Sequence, residues 1–90
     1  MTAQTAARAQ HATLSGTTAD SVTFFGVGAT LIVTNRDASV TLYFRQDGTT
    51  AVSAADETYV VLPLQSKIMP WGRKAISIVG NGNAYSAELV

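Results

Sequence analysis

The sequence predicts an all-β protein: a small antiparallel β-sandwich, Ig-like or jelly-roll-like, with about six or seven strands and an extended N-terminal arm. Three observations support this prediction. After residue 20, short runs in which apolar residues alternate with Thr or Ser recur at roughly ten-residue spacing. Turn-forming residues separate these runs. No segment after residue 20 has the 3.6-residue apolar period of an amphipathic helix.

The chain of 90 residues is long enough for one domain, which we divide into an arm at 1–18 and a sandwich at 19–90. The arm is rich in Ala, Thr and Gln and has no apolar stripe that could dock a helix. Two interpretations remain open: a frayed terminus, or an arm that becomes ordered against a neighbouring subunit. Deletion of residues 1–12 should leave the sandwich folded but, in the second interpretation, weaken its incorporation into the assembly. In the second interpretation the candidate contact residues of the arm are Arg8, His11 and Leu14.

The first half of the sandwich contains three predicted strands, at 21–25, 29–35 and 40–46. Gly26 and Gly28 mark a turn or bulge between the first two strands, since glycine adopts backbone angles that other residues avoid. The polar run 35–39 is a loop of hairpin length, and Asp47-Gly48 is a strong turn signal. The alternation assigns these residues to the core: Val22, Phe24, Leu31, Val33, Val40, Leu42 and Phe44.

The second half begins with a small, polar stretch at 49–57, which we interpret as a short edge strand that runs into a loop. The run 58–64 is the most β-prone of the chain, and Pro63, which has no N–H to donate, lies on an edge strand or at the end of its strand. Strands are also predicted at 75–79 and 84–90, joined by the turn Gly80-Asn81-Gly82-Asn83. In the last strand Tyr85, Ala87 and Leu89 share one face.

The composition argues against several classes of function. Charged residues make up 13% of the chain, whereas about 25% is usual. The formal net charge is zero, so the basic footprint of a nucleic-acid-binding protein is missing, and little charge repulsion opposes association. The chain has no cysteine, which excludes disulfides and thiolate zinc sites. We also expect no membrane span and no secretory signal, because no long apolar run is present.

No group of residues predicts a reaction site. His11 is the single histidine and lies in the arm, where no third group could orient it as a catalytic base. Asp56 and Glu57 are adjacent, so on an extended chain they point to opposite faces and do not converge on a metal or a glycosidic bond. The glycines at 26 and 28 lack the context of a dinucleotide-binding turn. We therefore expect no enzyme activity, no metal and no cofactor.

The most informative cluster is Trp71-Gly72-Arg73-Lys74, preceded by Met69. Trp and Arg are over-represented where the binding energy of protein interfaces is concentrated. Three interpretations stay open for Trp71: packing on the core, a protein interface, or stacking on a sugar. Tyr43 and Arg45, on the polar face of their strand, form a second candidate contact patch. The candidate protein-contact residues outside the arm are therefore Tyr43, Arg45, Met69, Trp71 and Arg73.

The segments 33–52 and 56–63, followed by a strand that contains Tyr85-Ser86, resemble small β-sandwich virion structural proteins of tailed bacteriophages. The shared pattern is a hairpin from an asparagine to an Asp-Gly-Thr turn, then Tyr-Val-Val before a proline, then a C-terminal Ser-Tyr type strand. The likeness covers about three quarters of the chain. This chain departs from the pattern at 64–71, where apolar residues replace the usual Ala-Gly-polar turn.

The resemblance implies a virion structural protein, foremost a capsid decoration (cement or minor capsid) protein that binds the major capsid lattice and reinforces the head. The expected partners are the major capsid protein or other virion proteins and further copies of the chain in a dimer or trimer. The expected location is the capsid surface, after assembly in the host cytoplasm. The alternatives are a head-to-tail connector or tail component, and a carbohydrate-binding or host-attachment module.

Overall fold

The computed structural model describes residues 2–53, 55 and 58–90, so Asp56 and Glu57 lie outside the described residues. Within these ranges the chain forms nine β-strands and no helix, which confirms the predicted all-β class. The strands are β1 (Thr2–Ala6), β2 (Ala9–Thr13), β3 (Asp20–Phe24), β4 (Thr30–Asn35), β5 (Leu42–Arg45), β6 (Tyr59–Val61), β7 (Ser66–Pro70), β8 (Ile76–Val79) and β9 (Ala84–Leu89).

The strands form two stacked sheets in the order β1-β3-β8-β5-β6 and β2-β9-β4-β7. Within them β2 pairs with β9, β3 with β8, β4 with β7 and β5 with β6, all antiparallel. This nested pairing, wrapped into two four-stranded sheets, is the jelly-roll topology, which decides between the two predicted types of sandwich. β1 adds a fifth strand to one sheet and runs parallel to β3.

The core lies between the two sheets and is built from alternate residues of the strands. β4 shows the pattern most clearly, because Leu31 and Val33 are fully buried while Thr30, Ile32 and Thr34 are half-exposed. Five of the seven predicted core residues of the first half are fully buried, whereas Phe24, at the end of β3, and Val40, in the connection before β5, are half-buried. The main cluster comprises Leu14, Val22, Leu31, Val33, Leu42, Phe44, Val61, Ile76, Ile78, Tyr85 and Ala87.

The N-terminal segment is extended, as predicted, but it does not form an arm separate from the sandwich. β1 pairs with β3, and β2 pairs with β9 along five residue pairs from Ala9↔Glu88 to Thr13↔Ala84. Leu14, the residue after β2, is 3% exposed in the core. The physical reason is that the edges of β3 and β9 present unpaired backbone groups, which a segment without any apolar period can still satisfy.

Two further segments differ from the prediction. The described residues of 49–57 form no strand; instead the Ala51 N–H donates to the Ser77 hydroxyl at 2.8 Å, which holds this connection over the outer face of the five-stranded sheet. Conversely, Ser66–Pro70 forms the edge strand β7, where no strand was expected. Because residues 68–71 are all apolar or proline, the sequence shows no alternation of apolar and polar residues here.

A buried amide pair closes one end of the sandwich. The Asn35 Nδ2 group donates to the carbonyl oxygens of Val40 and Val61 at 2.8 and 3.0 Å. The Asn83 Nδ2 group donates to Asn35 Oδ1 at 3.1 Å and to the Val40 carbonyl at 2.8 Å. Both amides are buried and satisfied, so they join three connections at this end into one rigid unit.

Candidate functional site

The opposite end of the sandwich carries an open cleft of about 260 Å³. It lies between the β3–β4 connection at 25–29 and the β7–β8 connection at 71–75. We call the residues around it the loop-end surface: Arg8, Phe25, Val27, Trp71 and Arg73. The cleft itself is lined by Phe24, Gly26, Val27, Gly28, Trp71 and Arg73.

Trp71 is held firmly at the rim of this cleft. Its backbone N–H donates to the Ala29 carbonyl at 2.9 Å, and its ring meets Phe24 edge to face, with centroids 5.7 Å apart. The Gln46 side chain fixes the same loop from both sides: it accepts from the Gly72 N–H at 2.9 Å and donates to the Pro70 carbonyl at 3.0 Å. The indole is therefore half-buried and positioned before any partner arrives.

The neighbouring connection displays two large apolar side chains to solvent. Phe25 is 70% exposed and Val27 is 87% exposed. The glycines between and after them press the loop onto the sheets, because a β-carbon on Gly26 would lie 2.4 Å from the Ala7 carbonyl oxygen and one on Gly28 would lie 2.6 Å from Leu89 Cγ. Phe25 and Val27 consequently have no room to fold inward, and the loop holds them outward.

Cations surround these apolar groups. The Arg8 side chain lies against Gly26, since a β-carbon there would lie 2.7 Å from Arg8 Cγ. Arg73 lines the cleft in the left-handed backbone region at φ 60°, and Lys74 follows it. Among the described residues, none of these three cations forms an ion pair. The loop-end surface thus combines an apolar centre with a positive rim.

The fold brings together three of the eight predicted contact residues, Arg8, Trp71 and Arg73. Met69 lies one residue before Pro70 at the end of β7, but its half-buried side chain packs against the core. Leu14, also predicted as a contact residue, is 3% exposed and part of the core, because the strand β2 directs the chain into the sandwich. Sequence reasoning missed Phe25 and Val27, because their exposure depends on how the neighbouring glycines pack against distant parts of the chain.

Tyr43 and Arg45 lie elsewhere, on the outer face of the five-stranded sheet. Tyr43 packs on Ala51 and Val79, where the 49–58 connection crosses the sheet. The Arg45 guanidinium pairs with Asp47, and its Nε donates to Asp47 Oδ1 at 3.2 Å. This hydrogen bond lowers the pKa of Asp47 to about 2. The charge of Arg45 is therefore already matched within the chain.

His11 lies on the outer face of the four-stranded sheet. Its Nδ1 atom is 2.7 Å from the Ser86 hydroxyl on β9, the strand next to β2. In the same row of residues the Thr34 and Ser66 hydroxyls are 2.8 Å apart. These four polar side chains form two hydrogen-bonded pairs in one row across the four strands.

A second exposed apolar surface lies along β6 and β7, and the sequence did not predict it as a contact site. Leu62 and Leu64, in the turn between these strands, and Ile68 on β7 are all more than half exposed. Leu64 has φ 60°, a conformation that costs a residue with a β-carbon roughly 1–2 kcal/mol. The strained turn directs a leucine into solvent.

The described part of the chain contains no group of three or more His, Asp or Glu residues that could hold a metal ion. It also contains no helix that could cross a membrane. Comparisons with protein-family models, curated proteins and solved structures find no match to this chain.

Proposed function

We propose that this chain is a phage virion structural protein of the capsid decoration type, which binds the major capsid lattice and stabilises the head without catalysing a reaction. The observation that carries the proposal is the loop-end surface, where Phe25, Val27 and Trp71 form an apolar patch rimmed by cations that have no ion-pair partner within the described part of the chain. Jelly-roll domains are common in viral capsids, which supports the proposal as an analogy of fold and not as proof of function.

The apolar part of this surface would supply the affinity. Exposed apolar patches bounded by polar residues mark protein interaction sites. Trp71 is already immobilised by the Ala29 carbonyl, the Gln46 side chain and the Phe24 ring, so docking would cost little conformational entropy. Such an anchor is the kind of residue on which interface energy concentrates.

The cations of this surface would fix the orientation of the chain on its partner. Arg8, Arg73 and Lys74 place three cations around the cleft, although the whole chain is formally neutral. A complementary partner surface carries an apolar pocket with carboxylates around it, as charge complementarity fixes register and suppresses wrong partners. Because several cations take part, the association should weaken moderately when the salt concentration rises.

The proposal leaves catalysis out. The pair His11 and Ser86 resembles the base and nucleophile of a hydrolase, but it lies on an open sheet face and not in a cleft. Among the described residues no carboxylate bonds to His11 to orient it. A Ser-His pair without an orienting group and donors for an oxyanion does not form a catalytic site.

A head-to-tail connector or tail component is an alternative that uses the same surface. Copy number separates the two, because decoration requires hundreds of copies in each particle while a connector forms a single ring. Cryo-electron microscopy of purified particles would locate the chain and count it. Density over the whole head supports decoration, and density confined to the portal or tail supports the alternative.

A carbohydrate-binding module is a second alternative, favoured by the position of Trp71 at an open cleft in a fold that lectins also use. A single tryptophan beside exposed apolar side chains fits a protein surface better than a sugar. A glycan array together with sugar titration of the Trp71 fluorescence tests this alternative. Saturable quenching by one sugar would replace the decoration proposal by host attachment.

Two matched valine variants test the proposed docking surface. Val27→Asp places a charge in the apolar centre, whereas Val52→Asp places the same charge on a valine that is 62% exposed over the five-stranded sheet. Both variants should remain folded, since both side chains are exposed. We expect Val27→Asp to reduce particle occupancy by at least tenfold and Val52→Asp to leave it unchanged. Equal occupancy of the two variants would exclude the loop-end surface as the docking site.

A further inference from the structure

Strand β2 uses one row of its backbone groups to pair with β9. The Leu89 N–H donates to the Arg8 carbonyl at 2.7 Å, and the Leu14 N–H donates to the Asn83 carbonyl at 2.8 Å. In an antiparallel ladder the residues that face the partner alternate with those that face away. The even-numbered residues from Arg8 to Leu14 therefore face β9.

The odd-numbered residues Ala9, His11 and Thr13 present their N–H and C=O groups on the free side. β2 is the outermost strand of its sheet, and these backbone groups have no partner among the described residues. The side chains of all three residues are exposed on the outer face. Each of these three residues thus offers one N–H donor and one C=O acceptor to another strand.

The edges on the opposite side of the sandwich are protected against such pairing. At the end of β7 the Trp71 N–H donates to the Ala29 carbonyl of the neighbouring strand region. Because backbone groups alternate in direction along a strand, those of the preceding Pro70 face the free edge. Proline has no N–H, so this position of the edge cannot donate a hydrogen bond. β6 is three residues long and Pro63 follows it closely. Proline and short strands are the usual means by which edges avoid association. β2 contains neither proline nor a charged residue.

We propose that a second copy of this chain adds to the free edge of β2 as an antiparallel strand, about a two-fold axis through His11. In this register His11 lies opposite His11 of the other copy, and Ala9 lies opposite its Thr13. By symmetry, Thr13 lies opposite Ala9 of the other copy, so the contact contains three residue pairs. Each pair can exchange two hydrogen bonds. The contact is self-complementary, as a two-fold interface requires, and it joins two four-stranded sheets into one.

Charge and size favour a second copy as the occupant of this edge. No lysine, arginine, aspartate or glutamate occurs in β2, so the pairing brings no such charges opposite each other. The formal net charge of zero leaves little long-range repulsion between copies. The opposed outward side chains at the ends, Ala9 and Thr13, are small enough to allow close approach of the two strands.

The proposed dimer does not depend on the proposed capsid binding. If the loop-end surface docks on a partner, however, the dimer changes how many partners one assembly can bind. Because the two strands are antiparallel, the two loop-end surfaces point to opposite ends of the dimer. One dimer can therefore connect two partner molecules, and the two weak contacts reinforce each other through effective concentration.

A cysteine at the two-fold axis tests the pairing directly, because the chain has no cysteine of its own. Opposed residues of a hydrogen-bonded antiparallel pair have Cα atoms about 5.5 Å apart, within the roughly 4.4–6.8 Å range of disulfides. His11→Cys should form a disulfide-linked dimer under mild oxidation, in at least tenfold higher yield than Ser39→Cys. Ser39 is also exposed but lies in the β4–β5 connection. Equal cross-linking of both variants would overturn the proposal.

Charge variants at Ala9 and Thr13 test the register. In the double variant Ala9→Lys/Thr13→Lys, each lysine lies opposite a lysine of the other copy, so two pairs of like charges form across the axis. This variant should raise the dimer dissociation constant at least tenfold, as measured by sedimentation. Ala9→Glu with Thr13→Lys opposes unlike charges and should stay within about threefold of the original chain. Circular dichroism verifies that both variants are folded. A monomeric original chain at high micromolar concentration, or equal dissociation constants for the two variants, would show that β2 does not pair in this way.

Discussion

The hydroxyl of Tyr85 on β9 donates a 2.8 Å hydrogen bond to the buried Asp20 carboxylate on β3. The two strands belong to different sheets, so this bond joins the two layers through the core. Tyr85 is fully buried and Asp20 is 2% exposed. A carboxylate in such surroundings needs hydrogen-bond donors, which makes the phenol part of the core structure and not a replaceable aromatic side chain.

Replacing Tyr85 with Phe should therefore destabilise the sandwich by about 1–3 kcal/mol, because Asp20 loses a donor while the packed volume hardly changes. Urea unfolding followed by far-UV circular dichroism measures the loss. Tyr43→Phe is the matched control, since Tyr43 lies on the outer sheet face, and it should change stability by less than about 0.5 kcal/mol. Equal effects of the two variants would contradict the proposed role of the Tyr85 hydroxyl.

The same pair predicts a loss of stability at alkaline pH. Burial raises the pKa of Tyr85 above its usual value, and the adjacent Asp20 raises it further. In the unfolded chain a tyrosine ionises near pH 10, so above about that pH the unfolded state releases a proton that the folded state retains. The stabilising contribution is complete below about pH 10 and is lost as the pH rises further. Unfolding free energies measured between about pH 9 and 11 should fall less steeply for Tyr85→Phe than for the original chain.

Two carboxylates predict the behaviour in acid. The backbone N–H groups of Ser39 and Val40 lower the pKa of Asp37, and the hydrogen bond from Arg45 lowers the pKa of Asp47 to about 2. Both contributions to stability are present above the unfolded value of about 3.9 and are lost as the pH falls toward the folded values. Between about pH 4 and 2 the unfolding free energy should decline, and less so for Asp47→Asn. Parallel curves for variant and original would contradict this assignment.

Two phenylalanines of opposite exposure test the assignment of faces. Phe44 is fully buried between the sheets, so Phe44→Ala should cost about 3–5 kcal/mol. Phe25 is 70% exposed in the loop-end surface, so Phe25→Ala should cost less than about 0.5 kcal/mol. Equilibrium unfolding in urea measures both. A loss below about 1 kcal/mol for Phe44→Ala would show that the inward face has been misassigned.

Truncation tests whether the N-terminal strands belong to the sandwich. Deletion of residues 1–13 removes β1 and β2, and β9 loses a partner along five residue pairs. We expect a loss on the order of 1 kcal/mol for each backbone hydrogen bond removed from the ladder. Deletion of residues 1–7 alone retains β2 and should cost less. A truncated chain as stable in urea as the complete chain would restore the interpretation of a separate arm.

Much of the fold could be predicted because local alternation was strong where strands are half-buried. In β4 and β5 each buried apolar residue is followed by an outward one, as with Leu31 and Ile32 or Phe44 and Arg45. The edge strands β1, β2 and β7 gave no such signal. β1 and β2 consist of Ala, Thr and Gln with the single His11. In β7, Ile68 and Met69 are adjacent and apolar although only Met69 faces the core. Edge strands bury little, so burial imposes little pattern on them.

The candidate site was only partly predictable for a similar reason. Trp71 and Arg73 were visible as residue types that bind partners, but the position of Arg8 beside them depends on contacts between residues far apart in the chain. Phe25 ends the predicted strand 21–25, and Val27 lies in the predicted glycine turn that follows it. Their exposure results from the contacts of Gly26 and Gly28 with Ala7 and Leu89, which no local pattern encodes.

The all-β class, the inward residues of the central strands and the low content of charge follow from alternation and composition along short stretches of chain, so they could be predicted. The jelly-roll order, the incorporation of residues 2–13 and the gathering of Arg8, Trp71 and Arg73 at one end became visible only in the folded molecule. Each of these three features depends on which distant backbone groups pair. Such pairing is selected by the satisfaction of hydrogen bonds across the whole sandwich.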